Sequence, residues 1–392
     1  MTLNSSSVLE AVPPVMAAQS PVLPDFDREV YCILGLPFDR VSLQQATRTM
    51  QQASAQGRRC FLSTPNLNFA IACLDDPKFR LSVIQSDLSV VDGMPLVWIA
   101  RALGLPFAER VAGSSLFQSL RHGAGKDGAA PMRVYFFGGP PGVAQAASGK
   151  LNADETAMQV VGFDSPGFGS IEQMSDPATI ARINASGADF LVVALGAKKG
   201  QAWIQHNLGA LRVPLVSHLG AVVNFVAGTV SRAPVWAQRT GLEWVWRIKE
   251  EPKLWRRYWD DGRNFLGLVI GVVIPGALAA RRNRVAAARF DTAGMTLRTG
   301  EGDCELILTG AIGEANIVRL RKVLGEAARA GGPMVVDCVG LTYIDSAALG
   351  SLMLLYGACV SAGRAWAMIN PSAELRRSVE FHCAQYLLRP LS

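Results

Sequence analysis

Short apolar runs that end in polar or glycine-bearing loops and then hand over to helical spacing recur along this chain, and that alternation restricts it to an α/β architecture. The clearest instance lies between Phe61 and Gly113. Phe61-Leu62-Ser63 reads as a short buried strand opening into Thr64-Pro65-Asn66-Leu67-Asn68, a polar loop that starts a helix. Asp87-Leu88-Ser89-Val90-Val91 is a second apolar run with Asp92-Gly93 at its carboxyl end, and Met94 to Leu103 has the spacing of a helix. In open α/β sheets, ligands bind where strands end and helix N-termini begin. One loop offers hydroxyl and amide groups, on Thr64 and Asn66. The other offers the Asp92 carboxylate beside the permissive Gly93. Asp92 is therefore a candidate general base, although an aspartate ahead of a helix also serves as its N-cap.

The same alternation extends in both directions. Val30 to Leu34 is predicted as a strand, and Ser42 to Gln56 as a helix with its own N-cap. Arg133 to Phe137 is a strand ending in Gly138-Gly139-Pro140-Pro141-Gly142, where a helix begins. Glycines at such a turn let backbone amides approach a phosphate, but they also suit a plain tight turn, and the spacing is neither a Walker loop nor GxGxxG. Asp189 to Leu195 is another buried strand, followed by Gly196-Ala-Lys-Lys-Gly-Gln201-Ala-Trp-Ile204, and Val213 to Val216 is a strand leading to Gly220 and a helix. A chain of 392 residues with 49% hydrophobic content buries a sizeable core, in about two domains. A net charge of +6 and a pI near 9.0 suit an acidic partner: a nucleotide diphosphate, an anionic lipid or nucleic acid. No nucleic-acid partner is expected, because no recognised binding motif accompanies the charge. Seven cysteines without CxxC spacing and four dispersed histidines point to reduced thiols in a cytosolic setting rather than to zinc.

Two C-terminal segments differ from this pattern. Arg232 to Arg263 is rich in arginine and holds five of the eight tryptophans, with Trp255, Tyr258 and Trp259 on one helix face. Arg247, Arg256 and Arg257 can bind a diphosphate through forked donors, and the tryptophans suit a membrane interface. Phe265 to Ala280 is apolar and flanked by Arg281, Arg282 and Arg284. As a helix it would reach roughly 24 Å, short of the ~30 Å hydrocarbon core. Pro275 and three glycines weaken it, so a buried or interfacial segment is expected rather than a span, with a re-entrant hairpin as another arrangement. Peripheral contact with an anionic cytoplasmic leaflet is the favoured reading.

Thr64-Pro-Asn-Leu-Asn, Asp92-Gly-Met-Pro-Leu-Val and Glu109-Arg110-Val-Ala-Gly113-Ser, in that order, resemble the WecG/TagA/CpsF glycosyltransferase family. So do Gly35-Leu-Pro-Phe-Asp39, Phe136 to Gly142, Gly162-Phe163, Ser231-Arg-Ala-Pro234, Gly241 to Arg247, Glu251-Pro252 and Arg256-Arg257-Tyr258. The resemblance covers about Val30 to Phe265. It implies a Rossmann-like domain with Asp92 as base and with Thr64, Asn66, Gly93, Arg110, Gly138, Gly139 and Lys199 around the substrates. It also implies that an appendage brings Arg247, Arg256 and Arg257 to the site and aids membrane association. The usual pattern Gly-x-Pro-Lys-Gln-Glu is altered here: Lys198, Gly200 and Gln201 stand at its Pro, Gln and Glu positions. The family glutamine is thought to reach the sugar nucleotide, and a one-residue shift would let Gln201 substitute. Asp25-Phe26-Asp27 spells the carboxylate pair of metal-dependent glycosyltransferases but lies outside the resemblance, so no metal and no cofactor are expected.

After a linker at Arg281 to Ala288, a small βαβαβα unit is predicted: strands at Cys304–Gly310, Pro333–Cys338 and Ala365–Ile369, with helices from Ala315, Ala347 and Ser372. It resembles a STAS domain, the fold of anti-sigma-factor antagonists. Ser346, at the Asp-Ser step of a strand-to-helix turn, matches that family's modified serine, although Ala347-Ala348 replaces the usual Ser/Thr-Gly. Phosphate there would change the charge of a surface that docks a protein partner or a kinase. A serine at that turn also serves merely as the helix N-cap, and that is the favoured reading.

The expected organisation is a flexible tail (1–28), a glycosyltransferase domain (29–231), a membrane-associated appendage (232–284) and a STAS domain (285–392). The resemblance implies transfer of an N-acetylhexosamine-type sugar from a UDP donor to a polyprenyl-diphosphate-linked acceptor, with inversion, for exopolysaccharide or another surface glycan. The protein would sit in the cytoplasm, peripheral to the inner face of a bacterial plasma membrane. A non-catalytic scaffold that binds sugar nucleotide, or a STAS-type phospho-regulated signalling protein, are the alternatives.

Overall fold

The computed structural model describes residues 23–123, 130–153, 158–167, 169–234, 236–237, 240–250, 252, 255–282, 285–300 and 302–391. Strands β1 (Val30–Ile33) and β2 (Leu36–Asp39) form an antiparallel hairpin, where the sequence suggested a single strand. The chain reverses at Leu34 and Gly35, whose φ values of 48° and 76° are those of a tight hairpin turn. Residues 23–28 correct a second expectation, since they do not behave as a tail. Phe26 is buried in the core, and Arg28 makes a two-pronged ion pair with Asp39 at 2.9 and 2.7 Å. Asp39 also accepts from the Ser89 amide at 2.6 Å, so the hairpin is tied to the strand that leads to Asp92.

The main sheet has six parallel strands in the order β4-β3-β8-β7-β5-β6. They are β3 (Cys60–Ser63), β4 (Leu88–Ser89), β5 (Met132–Gly138), β6 (Met158–Asp164), β7 (Phe190–Ala194) and β8 (Leu215–His218). Central strands of a parallel sheet are covered on both faces, which is why β3, β7 and β8 read as near-continuous apolar runs. Helices α1 (Leu43–Ala55), α5 (Gly113–Gly123), α6 (Val143–Ala153) and α9 (Gly220–Ala227) pack on one face. Helices α2 (Leu67–Asp75), α3 (Pro77–Ile84), α7 (Pro177–Ala185) and α8 (Ala197–Asn207) lie on the other. Helix α4 (Met94–Ala102) follows β4 and joins the core beneath the hairpin. Strand β3 is thus followed by a helix on one face and its neighbour β8 by a helix on the opposite face. The chain parts above their carboxyl ends, the place where such sheets hold ligands.

The C-terminal sheet runs β12-β11-β10-β9, with β10 (Cys304–Ile312), β11 (Met334–Ile344) and β12 (Trp366–Ile369) parallel. Strand β9 (Gly294–Thr299), not foreseen in the sequence, adds an antiparallel edge. Its faces are only half-buried, so its alternation of Met295 and Leu297 with polar residues is weak. The helix Ser346–Ser361 is buried nearly all round, because it has the small sheet on one side and the β1–β2 hairpin on the other. One continuous apolar core therefore runs from β1, β2 and α2–α4 into the C-terminal domain. Hydrogen bonds seal it: Tyr31 Oη donates to Glu314 at 2.9 Å and Tyr386 Oη to the Gly35 carbonyl at 3.0 Å. The domain is packed onto the hairpin. Residues 283–284 of the expected linker lie outside the described set.

The apolar segment at 265–280 is also longer and more exposed than expected. Tyr258–Arg282 is one helix of 25 residues with mean hydropathy 1.7 in its most apolar window and 11% of that window buried. By length and composition it is sufficient to cross a membrane. A π-helical stretch, Val269–Val273, ends two residues before Pro275, where the ladder must accommodate a residue without an N–H. One side of the helix rests on the protein: Asn68 of α2 bonds Asp261 at 2.9 Å, Val273 is buried, and Gly276 sits against Phe381 and Leu103. The other side exposes Leu266, Ile270, Ile274 and Leu278, four residues apart, in line with Trp255 and Trp259.

Candidate active site

The Asp92 loop is held from two directions. The Asp92 amide donates to the Pro65 carbonyl at 3.0 Å, and the Val111 amide to the Val91 carbonyl at 2.9 Å. The three sequence segments singled out above, around Thr64, Asp92 and Arg110, are thereby brought together. Asp92 does not cap the helix that follows it. The N-cap of α4 is Gly93, at φ 144°, with no side-chain cap bond, a conformation that favours glycine. The carboxylate turns instead to α5 and accepts from the Gly113 amide at 3.2 Å. A methyl group at Gly113 would strike Leu219 and press on Thr64, so α5, β3 and the end of β8 meet at this point.

The charges around Asp92 are arranged in opposition. Desolvation pushes its pKa up to about 6, against the pull of Arg110, the Gly113 amide and Arg232 and with a smaller push from Glu243. Arg110 is paired with Glu243 at 2.5 Å, and Arg232 reaches Ser115 at 2.7 Å and also Gln118. Burial lowers the Arg232 pKa, with Glu243 and Asp92 as the anions that oppose this. The site is thus a carboxylate with one bond donated to it, flanked by two arginines. A carboxylate raised toward neutrality takes a proton at physiological pH, and the guanidiniums suit an incoming polyanion.

Arg232 and Glu243 were not among the candidates chosen from the sequence. Both stand within runs noted there, Ser231–Pro234 and Gly241–Arg247, each as the acidic or basic residue amid small and apolar neighbours. Thr64 is buried at the centre, whereas Asn66 is exposed and caps α2 through the Phe69 amide at 3.1 Å. Gly138 is squeezed against the Ala194 carbonyl, and the Gly139 amide donates to that carbonyl at 2.8 Å. Lys199 Nζ donates to the Gly169 carbonyl at 2.6 Å. Gln201 is buried and donates to Ser63 Oγ at 3.0 Å, while its Oε1 has no partner among the described residues.

The appendage approaches the site through Glu243 and through Gly241, which packs against Met94 and Trp98 of α4. Arg247 is partly buried on the helix Glu243–Glu250, and Arg256 is exposed with its guanidinium 5.6 Å from the Trp255 ring. The Arg257 side chain lies outside the described residues. Ser346 is 3% exposed and donates to the Cys32 carbonyl of β1 at 2.9 Å. Asp345, not Ser346, caps the helix.

The family profile described as "Glycosyl transferase WecG/TagA/CpsF family" matches residues 31–276, and that described as "Mlab, STAS domain" matches residues 295–382. A similar protein is the N-acetylglucosaminyldiphosphoundecaprenol N-acetyl-beta-D-mannosaminyltransferase of Bacillus spizizenii. It is 27% identical over 203 residues, which cover 52% of this chain and 76% of that protein.

Proposed function

The chain belongs to the glycosyl transferase WecG/TagA/CpsF family, and from that premise we propose that it moves an N-acetylhexosamine-type sugar from a UDP donor to a polyprenyl-diphosphate-linked sugar. The observation that carries this reading is the Asp92 carboxylate, bonded by one amide and flanked by Arg110 and Arg232. Asp92 takes the proton of the acceptor hydroxyl as its oxygen bonds to the anomeric carbon, and the bond from that carbon to the diphosphate breaks. UDP leaves, and the sugar centre inverts. Thr64, Asn66 and Gly93 line the loops beside that carbon. Gly138, Gly139, Lys199 and Gln201 serve the donor side. Arg110, Arg232 and the appendage residues Arg247, Arg256 and Arg257 offset diphosphate charge. The similarity to an enzyme named for an undecaprenyl-diphosphate acceptor supports a lipid-linked acceptor here. The product would enter exopolysaccharide or another surface glycan.

The proposed division of labour puts the base and the donor loops in residues 29–231, membrane contact together with the diphosphate-binding arginines in 232–284, and regulation in 285–392. The exposed stripe Leu266, Ile270, Ile274 and Leu278, with Trp255 and Trp259 at one end and Arg281 and Arg282 at the other, suits the inner leaflet. Because the opposite side of that helix is packed on α2, α4 and the C-terminal domain, we favour a helix lying in the interface over one crossing it. Serines at the four aliphatic positions are expected to abolish sedimentation with anionic vesicles.

The deciding experiment is UDP release from a panel of UDP-N-acetylhexosamines with a polyprenyl-diphosphate-sugar acceptor, for wild type and Asp92→Asn. Acceptor-dependent turnover that collapses in the variant supports the enzyme and its base. Turnover that survives moves the base elsewhere. Binding without turnover in wild type turns the reading to a sugar-nucleotide scaffold.

A further inference from the structure

Gly200 departs from the pattern of its segment, and the fold shows what occupies the space. A β-carbon at position 200 would collide with Cδ2 of His218, so the imidazole fills the volume that a side chain on α8 would need. His218 is the last residue of β8, one step beyond Ser217, which pairs with Leu62, and Ser63 is the last residue of β3. Its ring lies between Gly200 of α8, Gly220 of α9 and the Phe69 ring of α2, 6.3 Å away between centroids. That is the point where the chain parts above β3 and β8, next to the Thr64 and Leu219 contacts of the Asp92 loop.

His218 Nε2 is buried there and has no hydrogen-bond partner among the described residues. Gln201 Oε1, on the same turn of α8 as Gly200, is likewise buried and without a partner, although the other end of that amide is held by Ser63. Two orphaned polar atoms on segments that both reach the ends of β3 and β8 are costly unless something completes them. Burial also lowers the His218 pKa to about 4, so the ring is neutral at physiological pH and offers no charge to a diphosphate. Gln201 Oε1 can only accept, so its missing partner is an O–H or N–H.

We propose that His218 Nε2 and Gln201 Oε1 form a neutral subsite that hydrogen-bonds an uncharged O–H or N–H group of the sugar-nucleotide donor, and that Gly200 is bare to admit the imidazole. The subsite rests on the glycosyltransferase reading above. It makes the departure at Gly200 one half of an exchange: the polar group comes from β8 instead of α8. Both the hexosamine, through hydroxyl or acetamido groups, and the uracil carry the required chemistry, and the experiment separates them.

The test compares wild type, His218→Ala, Gly200→Ala and His218→Ala/Gly200→Gln in the full-length protein, by steady-state kinetics and by titration with UDP and UDP-N-acetylhexosamine. Losing one neutral hydrogen bond raises the donor KM or Kd by roughly three- to tenfold in His218→Ala, with the acceptor KM unchanged. If UDP binding is unaffected, the group is on the sugar; if UDP weakens equally, it is on the base. Gly200→Ala, which forces the ring aside, reproduces the defect, and the double variant recovers donor affinity by placing an amide in the vacated space. Wild-type donor constants in His218→Ala, in protein that turns over normally, overturn the subsite while leaving the enzyme intact. Wild-type protein that neither binds nor turns over any UDP-sugar overturns the glycosyltransferase reading and the subsite with it.

Discussion

Two aspartates in this molecule occupy the same local context and have opposite fates. Asp92 and Asp345 each end an apolar strand run and precede a helix, and desolvation raises the pKa of both. Asp345 is satisfied: one oxygen caps its helix through the Ala348 amide at 3.0 Å, and the other accepts from the Glu314 amide at 2.7 Å. Asp92 leaves its own helix uncapped and, among the described residues, takes a single 3.2 Å bond from another helix. A carboxylate whose oxygens are spoken for is part of the scaffold. One bonded by one amide of another helix among the described residues, and felt by the charges of Arg110 and Arg232, retains lone pairs for a proton.

The sharpest way to break this comparison is the same substitution at both positions. Asp92→Asn is expected to lower kcat by roughly a hundred- to ten-thousand-fold, as loss of a general base does. It is also expected to stabilise the fold at neutral pH. A carboxyl with a folded pKa near 6 and an unfolded value of about 3.9 binds more protons when folded between those limits, so stability falls as pH rises through that window. The penalty is complete above about pH 6. Asp92→Asn removes it, raising Tm by roughly 2–4 °C at pH 8 and by nothing at pH 3. In wild type, kcat/KM should fall tenfold per pH unit below about 6. A flat profile there would take the base role from Asp92. Asp345→Asn should leave that profile in place.

The second contrast concerns the neighbour of Asp345. Ser346 is buried against the Cys32 carbonyl, so a carboxylate there meets an acceptor in a dry interface. Ser346→Asp is expected to cost roughly 3–5 kcal/mol, read as a lowered urea midpoint. Asp345→Ala follows at about 1–3 kcal/mol, from the lost cap and the orphaned Glu314 amide. Neither should shift the apparent pKa of turnover in protein that remains folded. A shift would mean that the hairpin transmits strain through Asp39 and the Ser89 amide to the Asp92 loop.

Much of this was legible in the sequence, and the remainder was hidden for physical reasons. The strands β3, β5, β7 and β8 announced themselves because buried parallel strands are apolar throughout, and the helices after them because their caps and periods are local. Whether Asp92 caps its own helix was not readable, since that depends on which helix presents an amide, and Gly113 lies in a different element. His218 was passed over as one dispersed histidine, because nothing local ties it to Gly200. The burial of Ser346 depends on a hairpin at the other end of the chain. The helix Tyr258–Arg282 was read short because its first two turns are polar in composition, while exposed Trp259, with Trp255 just ahead of it, extends the apolar stripe.

The smallest effect offers the finest test of what Ser346 does. In Ser346→Ala the hydroxyl is lost, the cap stays with Asp345, and the methyl group fits the space already occupied by the serine. The Cys32 carbonyl loses one donor in a buried strand, a change of about 1 kcal/mol. Tm should fall by roughly 2 °C, and kcat should stay within about twofold of wild type, because no bond of the Asp92 loop is touched. If kcat instead moved by tenfold with Tm unchanged, the serine would be coupled to the Asp92 loop. The C-terminal domain would then act on turnover through Ser346 itself rather than through the stability of the surface it covers.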